Sequence, residues 1–156
     1  MQFHQDILSL SLYFHVYART EVVLDRTPFT TWGGYGGLFV RLRNDLQNAR
    51  LVFDDGTVAT KCTGERYQWG GIEGTTPEGS DCAVVFLPDK NNTRWPEPFY
   101  GHARPDYHFF GPAPLFHGPI TLAPAETLSY GVRVLVLPRR INPDEVDVFS
   151  RSVVRS

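Results

Sequence analysis

A strict alternation of apolar and polar residues near the start of the chain constrains its fold most. Apolar side chains stand at every second position, and the positions between them carry serine, tyrosine and histidine. The apolar set is Leu8, Leu10, Leu12, Phe14, Val16 and Ala18. Successive side chains of a β-strand point to opposite faces, so a period of two is the spacing of a strand. The stretch predicts a long strand with one dry face and one polar and aromatic face.

Other segments also have the composition of strands. We predict them at Glu21–Asp25, Leu38–Arg43, Ala49–Phe53, Thr57–Cys62 and Tyr67–Ile72, the last of which is broken by glycines. Asp54-Asp55-Gly56 predicts a hairpin turn, because glycine accepts the positive φ of a tight turn. Cys82–Leu87 is apolar without alternation, which indicates a central strand buried on both faces. Thr127–Leu137 alternates again and predicts the last strand.

Residues 88–119 hold seven of the twelve prolines and three of the five histidines. Proline removes a hydrogen-bond donor from a strand, so we expect a long, ordered and mostly non-sheet segment. Segments of this kind inside a compact domain are often functional.

The C-terminal region has the signals of a helix start. Asn142 is a typical N-cap, Pro143 suits the first helical position, and acidic residues follow. A short helix is therefore expected at about 143–151. With seven to nine strands, the chain is expected to form one all-β domain, an antiparallel β-sandwich with its core at about 7–138.

Composition and length exclude several classes of protein. A formal net charge of -2 argues against a nucleic-acid binder. The longest uncharged run near the start, Ile7–Ala18, is twelve residues, whereas a membrane span needs about 20. The N-terminus lacks the pattern of a signal peptide, so a cytoplasmic location and reduced Cys62 and Cys82 are expected. No cofactor is predicted.

Several segments together resemble the PmoA-like family, a domain family of unknown function. They are residues 33–41, which begin Gly-Gly-Tyr-Gly-Gly, and residues 64–71, 82–100 and 116–128. Their order and spacing match over about residues 8–138, which corresponds to the C-terminal half of the longer family members. Ala125 stands where the family usually has glycine. The resemblance implies a sandwich similar to galactose mutarotases, and hence chemistry on a sugar.

The densest group of ionisable residues is His102, Asp106 and His108. Histidine beside a carboxylate suits general acid–base catalysis, so these three are the predicted catalytic residues. Mutarotase-like chemistry would pair His102 or His108 with Asp106, Glu97 or Glu73. The spacing is not that of a usual metal triad, and no metal ligand set is assigned. The alternative is that the histidines only form hydrogen bonds within a loop.

Aromatic and basic residues supply candidates for binding a sugar ring. The predicted substrate-binding residues are Arg41, Arg66, Trp69, Arg94, Trp95, Glu97 and Tyr100. Aromatic faces stack on sugars, and arginine can bind hydroxyl or carboxylate groups bidentately. For the aromatic residues the alternative is loop packing, and for Arg41 it is an exposed position on a strand. The loop Gly33–Gly37 either lets the backbone approach a ligand or forms a bulge at a strand entry.

Three functions remain open from the sequence. The leading one is a protein that binds or acts on a sugar or glycoside through residues 94–117. The second is a non-catalytic binding or assembly module that pairs with another copy or with a partner subunit. The third is a metal-dependent enzyme that uses the cluster of His102, Asp106 and His108.

Overall fold

The computed structural model of the chain describes residues 2–4, 6–26 and 36–151. Thirteen strands and one helix form in these ranges. The first seven strands are β1 (Gln2–His4), β2 (Ile7–Tyr17), β3 (Val22–Leu24), β4 (Val40–Arg41), β5 (Gln47–Phe53), β6 (Val58–Ala59) and β7 (Lys61–Tyr67). The remaining elements are β8 (Gly70–Thr75), β9 (Asp81–Pro88), β10 (Glu97–Arg104), β11 (Tyr107–Pro112), β12 (Ile120–Leu122), β13 (Thr127–Leu137) and α1 (Pro143–Arg151).

The strands form three sheets in which every pairing is antiparallel. The largest has the order β1-β2-β13-β9-β8-β5-β6, and the second has the order β4-β11-β10-β7. A two-stranded sheet joins β12 to β3. The antiparallel β-sandwich with a short C-terminal helix is thereby confirmed. The strand count exceeds the expected seven to nine, because several strands are only two or three residues long.

The seven-stranded sheet is covered on both faces. One face packs on the four-stranded sheet through an apolar cluster that includes Phe53, Phe86, Phe99 and Phe110. The opposite face forms a second cluster that contains Val146 of the helix. Alternate residues of β9 contribute to each cluster, which explains why this strand is apolar at every position. The prediction of a central, doubly buried strand is confirmed.

The long strands β2 and β13 pair over ten residue positions, from Thr127 opposite Tyr17 to Val136 opposite Leu8. Leu10 and Leu12 of the predicted dry face pack against the core between the sheets. Phe14, on the same face, is 45% exposed. The apolar row of β2 therefore continues beyond the packed core.

The expectation that residues 88–119 are mostly outside the sheets holds only narrowly, because 15 of these 32 residues lie in strands. β10 and β11 form a hairpin within this segment, and β10 also pairs with β7. The sheet accommodates Pro98 through a register shift between Pro98 and Tyr100, and Pro112 ends its strand. Proline at a bulge or a strand end removes no essential ladder bond, so proline content was a poor guide here.

Two other predicted strands differ in their boundaries. The expected strand Leu38–Arg43 is reduced to the two residues of β4, and the expected strand Tyr67–Ile72 is split between β7 and β8. The predicted hairpin at Asp54–Gly56 is present, with β5 paired to β6 and Gly56 at a φ of 82°. Most of the predicted glycine loop, residues 33–35, lies outside the described residues.

The helix α1 begins as expected. The Asp144 amide donates to the Asn142 side-chain oxygen at 3.2 Å, and the helix spans 143–151. The Trp69 indole nitrogen donates to the Asp147 carboxylate at 2.8 Å, which fixes the helix on the sheet. Both cysteines are free thiols. Within the described part of the chain, helical structure never reaches the length and apolarity that a bilayer crossing needs.

Candidate functional site

A cavity of about 370 Å³ opens at one end of the core between the two large sheets. We call it the Glu97 pocket. Its apolar lining residues are Phe14, Val16, Leu38, Pro114, Leu115, Ile120 and Leu128, together with Gly36 and Gly37. Its polar lining residues are Thr93, Arg94, Glu97 and Tyr130. A concave, mainly apolar pocket with a few polar groups is the usual form of a small-molecule site.

Glu97 is the first residue of β10 and is completely buried. It shares the inward-facing row of this strand with Phe99 and Ala103, two residues of the core. Among the described residues, no hydrogen bond of standard geometry reaches either carboxylate oxygen, although the Asn92 side-chain amide lies close enough to act on this carboxyl. Burial raises the pKa of this carboxyl to about 7, although the Asn92 amide and the charges of Arg66 and Arg94 act in the opposite direction. Glu97 is therefore poised to gain or lose a proton near neutral pH.

Two further polar groups of the pocket also lack partners. The Tyr130 hydroxyl is buried without a hydrogen bond to any described residue, and burial together with the nearby Glu97 charge raises its pKa. Arg94 donates from Nη2 to the carbonyl oxygens of Pro119 at 2.8 Å and Gly118 at 3.4 Å. Its Nε is buried and donates to no acceptor in the part of the chain that the structure describes. Unpaired buried polar groups are rare, so three in one pocket call for an explanation.

The wall at Gly37 depends on the absence of a side chain. A Cβ atom at this position would lie 2.1 Å from the Pro112 carbonyl oxygen, so residues 36–38 could not otherwise approach the end of β11 so closely. Gly111 has the same role toward Leu38, whose carbonyl oxygen would lie 2.0 Å from an added Cβ. These two close approaches bring Leu38 to the lining of the pocket.

The three predicted catalytic residues do not converge. Ala103 pairs with His108 and His102 pairs with Phe109, so the two histidines lie on opposite faces of the four-stranded sheet. Asp106 is exposed in the turn between β10 and β11. The described residues contain no group of three histidine, cysteine or acidic side chains arranged to bind a metal. Their catalytic role stays a prediction.

His108 lines a separate, more polar groove of about 480 Å³ at the other end of the same core. It is 1% exposed, and neither ring nitrogen has a hydrogen-bond partner among the described residues. The other polar residues lining the groove are Asp45, Gln47, Asn48, Thr60 and Arg104. His102 lies on the outer face among aromatic rings, with the ring centroids of Tyr100 and Phe109 5.8 and 5.4 Å away.

Only two of the predicted substrate-binding residues, Arg94 and Glu97, line the Glu97 pocket. Arg66 lies behind it and donates to the carbonyl oxygens of Arg94 and Pro96 at 2.7 and 2.8 Å. This arrangement fixes the backbone on either side of Trp95, whose ring lies 5.9 Å from the Lys90 amine. Arg66 thus positions the segment that carries Arg94.

The remaining predicted binding residues lie elsewhere. Trp69 is buried beneath the helix, in the second core cluster. Arg41 is exposed on β4, with its guanidinium 4.9 Å from the centre of the Tyr107 ring. Tyr100 belongs to the aromatic group on the outer face of the four-stranded sheet, 6.4 Å from Phe39. These residues do not form one site with Glu97.

Glu73, the alternative base, is fully buried and bonded through both oxygens. Arg50 donates to Oε1 at 2.6 Å and Arg140 donates to the same oxygen at 3.3 Å. The Ile141 amide donates to Oε2 at 2.6 Å. This set of partners gives Glu73 a structural role beside the helix.

Tyr130 was not predicted as a site residue from the sequence. One signal was present, because Tyr130 is the polar member of the otherwise apolar row Leu128, Val132 and Val134. A buried phenol in such a row needs a partner for its hydroxyl. Pairing with Phe14 of β2, which brings the row into the pocket, was not visible in the sequence.

The comparisons with known proteins give a family and no function. Comparison with curated proteins yields no match, and neither does comparison with solved structures. A profile described as a family of unknown function, DUF6807, matches residues 2–150. The PmoA-like assignment made from the sequence is therefore wrong, and nothing indicates such a domain. The chain belongs to DUF6807, a family of unknown function.

Proposed function

We propose that the protein binds a small, mainly apolar molecule in the Glu97 pocket. The observation that carries this proposal is the meeting of three unpaired, buried polar groups with apolar walls in one cavity of about 370 Å³. Leaving a buried polar group unpaired costs about 1–3 kcal/mol, so a ligand that pairs with it gains affinity. The walls supply the hydrophobic contribution to binding, and the polar groups fix the ligand's orientation.

The Glu97 pocket also contains a carboxyl that can transfer a proton. A carboxyl whose pKa lies at about 7 can act as a general acid or a general base at neutral pH. No histidine of the described chain lines the pocket, so Glu97 and Tyr130 would have to carry such chemistry. Binding is the minimal function that this geometry supports, and catalysis would build on it.

The sugar-related function predicted from the sequence stays a prediction. A sugar ring carries several hydroxyl groups, and the pocket offers polar side chains from only four of its lining residues. The geometry favours a less polar ligand for this reason. The cytoplasmic location and the pairing with a second copy or a partner subunit also stay predictions.

The test is a titration with N-phenyl-1-naphthylamine, a neutral apolar probe that fluoresces when it is removed from water. We expect saturable fluorescence with the natural chain and a loss of at least about tenfold in affinity for Leu128→Trp, which fills the pocket. Val148→Trp, on an exposed helix position, is the matched control and should bind the probe normally. Equal binding by both variants would contradict the proposal.

The same protein can be titrated with galactose and glucose by thermal shift. A ligand at 100 times its dissociation constant stabilises a protein by about 2.7 kcal/mol. A sugar-specific shift that Leu128→Trp abolishes would move the proposal toward a carbohydrate ligand.

A further inference from the structure

Three polar groups of the Glu97 pocket, those of Arg94, Glu97 and Tyr130, can donate hydrogen bonds below about pH 7. The protonated Glu97 carboxyl and the Tyr130 hydroxyl each have one proton to donate, and the Arg94 Nε has another. None of these three groups has an acceptor in the described part of the chain. A ligand group that fits them must therefore be rich in acceptor oxygens.

The charge of Arg94 also favours a ligand group with acceptor oxygens. Arg94 makes no ion pair among the described residues, because its bonds go to the backbone carbonyls of Gly118 and Pro119. Carbonyl oxygens carry no charge that would neutralise a guanidinium. Since the pocket walls are apolar, a negatively charged ligand group would gain from the weak solvent screening there.

We propose that the ligand is a small monocarboxylic acid, with its carboxylate bound by Arg94, Glu97 and Tyr130 and its aliphatic or aromatic part against the apolar walls. This inference rests on the proposed function and names the ligand's chemical class. Arginine suits the carboxylate because the bond from its free Nε–H to a carboxylate oxygen is charge-assisted. A neutral Glu97 carboxyl donates to the second ligand oxygen without adding a like charge.

The geometry also sets a pH dependence for binding. The ionisable groups that act on Glu97 are Arg66, Arg94 and Tyr130. When Glu97 ionises as the pH rises through about 7, two carboxylates would share one buried site and repel each other. Affinity for the acid should therefore fall above this pH.

The test uses three probes with the same six-carbon chain: hexanoate, 1-hexanol and hexylamine. Each is titrated into the full ¹⁵N-labelled chain at pH 6, and amide shifts locate and quantify binding. We expect hexanoate to bind at least about tenfold more tightly than 1-hexanol, and hexylamine to bind most weakly.

Variants of Arg94 and Glu97 test whether these residues produce the preference for hexanoate. Arg94→Gln should weaken hexanoate about tenfold or more while changing 1-hexanol less than about threefold. Arg43→Gln removes an exposed guanidinium elsewhere and is the matched control. Glu97→Gln retains a donor, so it should still bind hexanoate and should lose the decline above pH 7.

The outcomes separate the two proposals. Equal binding of 1-hexanol and hexanoate in the pocket would overturn the carboxylate inference and leave the proposed function standing. Tightest binding of hexylamine would overturn it in favour of a cationic ligand. If all three probes and N-phenyl-1-naphthylamine leave the pocket amides unshifted, both proposals fail. Amide spectra also show whether each variant is folded.

Discussion

Two buried glutamates on opposite sides of the seven-stranded sheet differ in almost every respect except burial. Both side chains are 0% exposed. Glu73 lies on the helix side, where both of its oxygens accept hydrogen bonds from Arg50, Arg140 and Ile141. Glu97 lies between the sheets, where its oxygens accept no hydrogen bond of standard geometry from the described residues. A satisfied buried charge joins elements of a fold, whereas an unsatisfied one weakens the fold, and at Glu97 we propose that a ligand supplies the missing partner.

The largest expected effect comes from removing the satisfied carboxylate. Glu73→Ala leaves Arg140 and the Ile141 amide without their shared acceptor, so we expect the free energy of unfolding to fall by about 3 kcal/mol. Urea unfolding at pH 7 measures this. Glu78→Ala, which removes an exposed partner of Arg43, should unfold close to the natural chain. A Glu73→Ala chain as stable as the control would show that the hydrogen bonds of Glu73 do not stabilise the fold, which would remove its contrast with Glu97.

Glu97→Gln should raise the free energy of unfolding rather than lower it. The folded pKa of about 7 lies above the ordinary value of 4.5, so the natural chain loses stability as the pH rises between these values. Glutamine does not ionise, so the variant should be more stable by on the order of 2 kcal/mol above pH 8. Thermal unfolding from pH 4 to 9 tests this, with pH 4 as the internal control. A constant difference at every pH would contradict the assignment.

The next prediction concerns the start of the helix, which lies beside Glu73. Asn142 caps the helix directly after Ile141, so Asn142→Ala should lower the free energy of unfolding by about 1 kcal/mol. Asn142→Asp keeps an acceptor for the Asp144 amide and should behave like the natural chain. Equal losses in both variants, measured by urea unfolding, would argue against the cap.

The smallest change in the free energy of unfolding is expected when only the hydroxyl of Tyr130 is removed. This hydroxyl makes no hydrogen bond within residues 6–26 and 36–151, so Tyr130→Phe removes an unsatisfied group and should change the free energy of unfolding by about 0.5 kcal/mol or less. Tyr130→Ala removes the ring as well and should be destabilising by about 3 kcal/mol. A large loss in Tyr130→Phe would mean that the hydroxyl has a partner, which would remove one of the three donors proposed for the ligand.

Local sequence patterns predicted the long strands of the seven-stranded sheet. β2 and β13 alternate because one side of each meets the core, and β9 is apolar throughout because the helix and the second sheet cover its two faces. The cap at Asn142 is also local, so the helix could be placed to the residue. The β10–β11 hairpin was missed because tolerance of Pro98 depends on a bulge opposite β7, which is a property of the assembled sheet.

The site was less predictable than the fold for the same reason. Glu97 and Arg94 were recognisable as polar residues in an aromatic segment, and both line the pocket. Whether a buried glutamate is paired depends on distant residues, such as Arg140 for Glu73, which is 67 positions away. The histidines were close in sequence, yet strand alternation sends His102 and His108 to opposite faces.

The bond between the Trp69 indole and Asp147 gives the chain an optical reporter of its own. Indole emission shifts to longer wavelength when the ring enters water, and Trp69 is 1% exposed beneath the helix. Trp95 lies outside that contact, 5.9 Å from the Lys90 amine. Detachment of the helix would therefore change the emission of Trp69 first. In a chain whose other two tryptophans, Trp32 and Trp95, are replaced by phenylalanine, the integrity of the helix–sheet contact can be followed by light without a label.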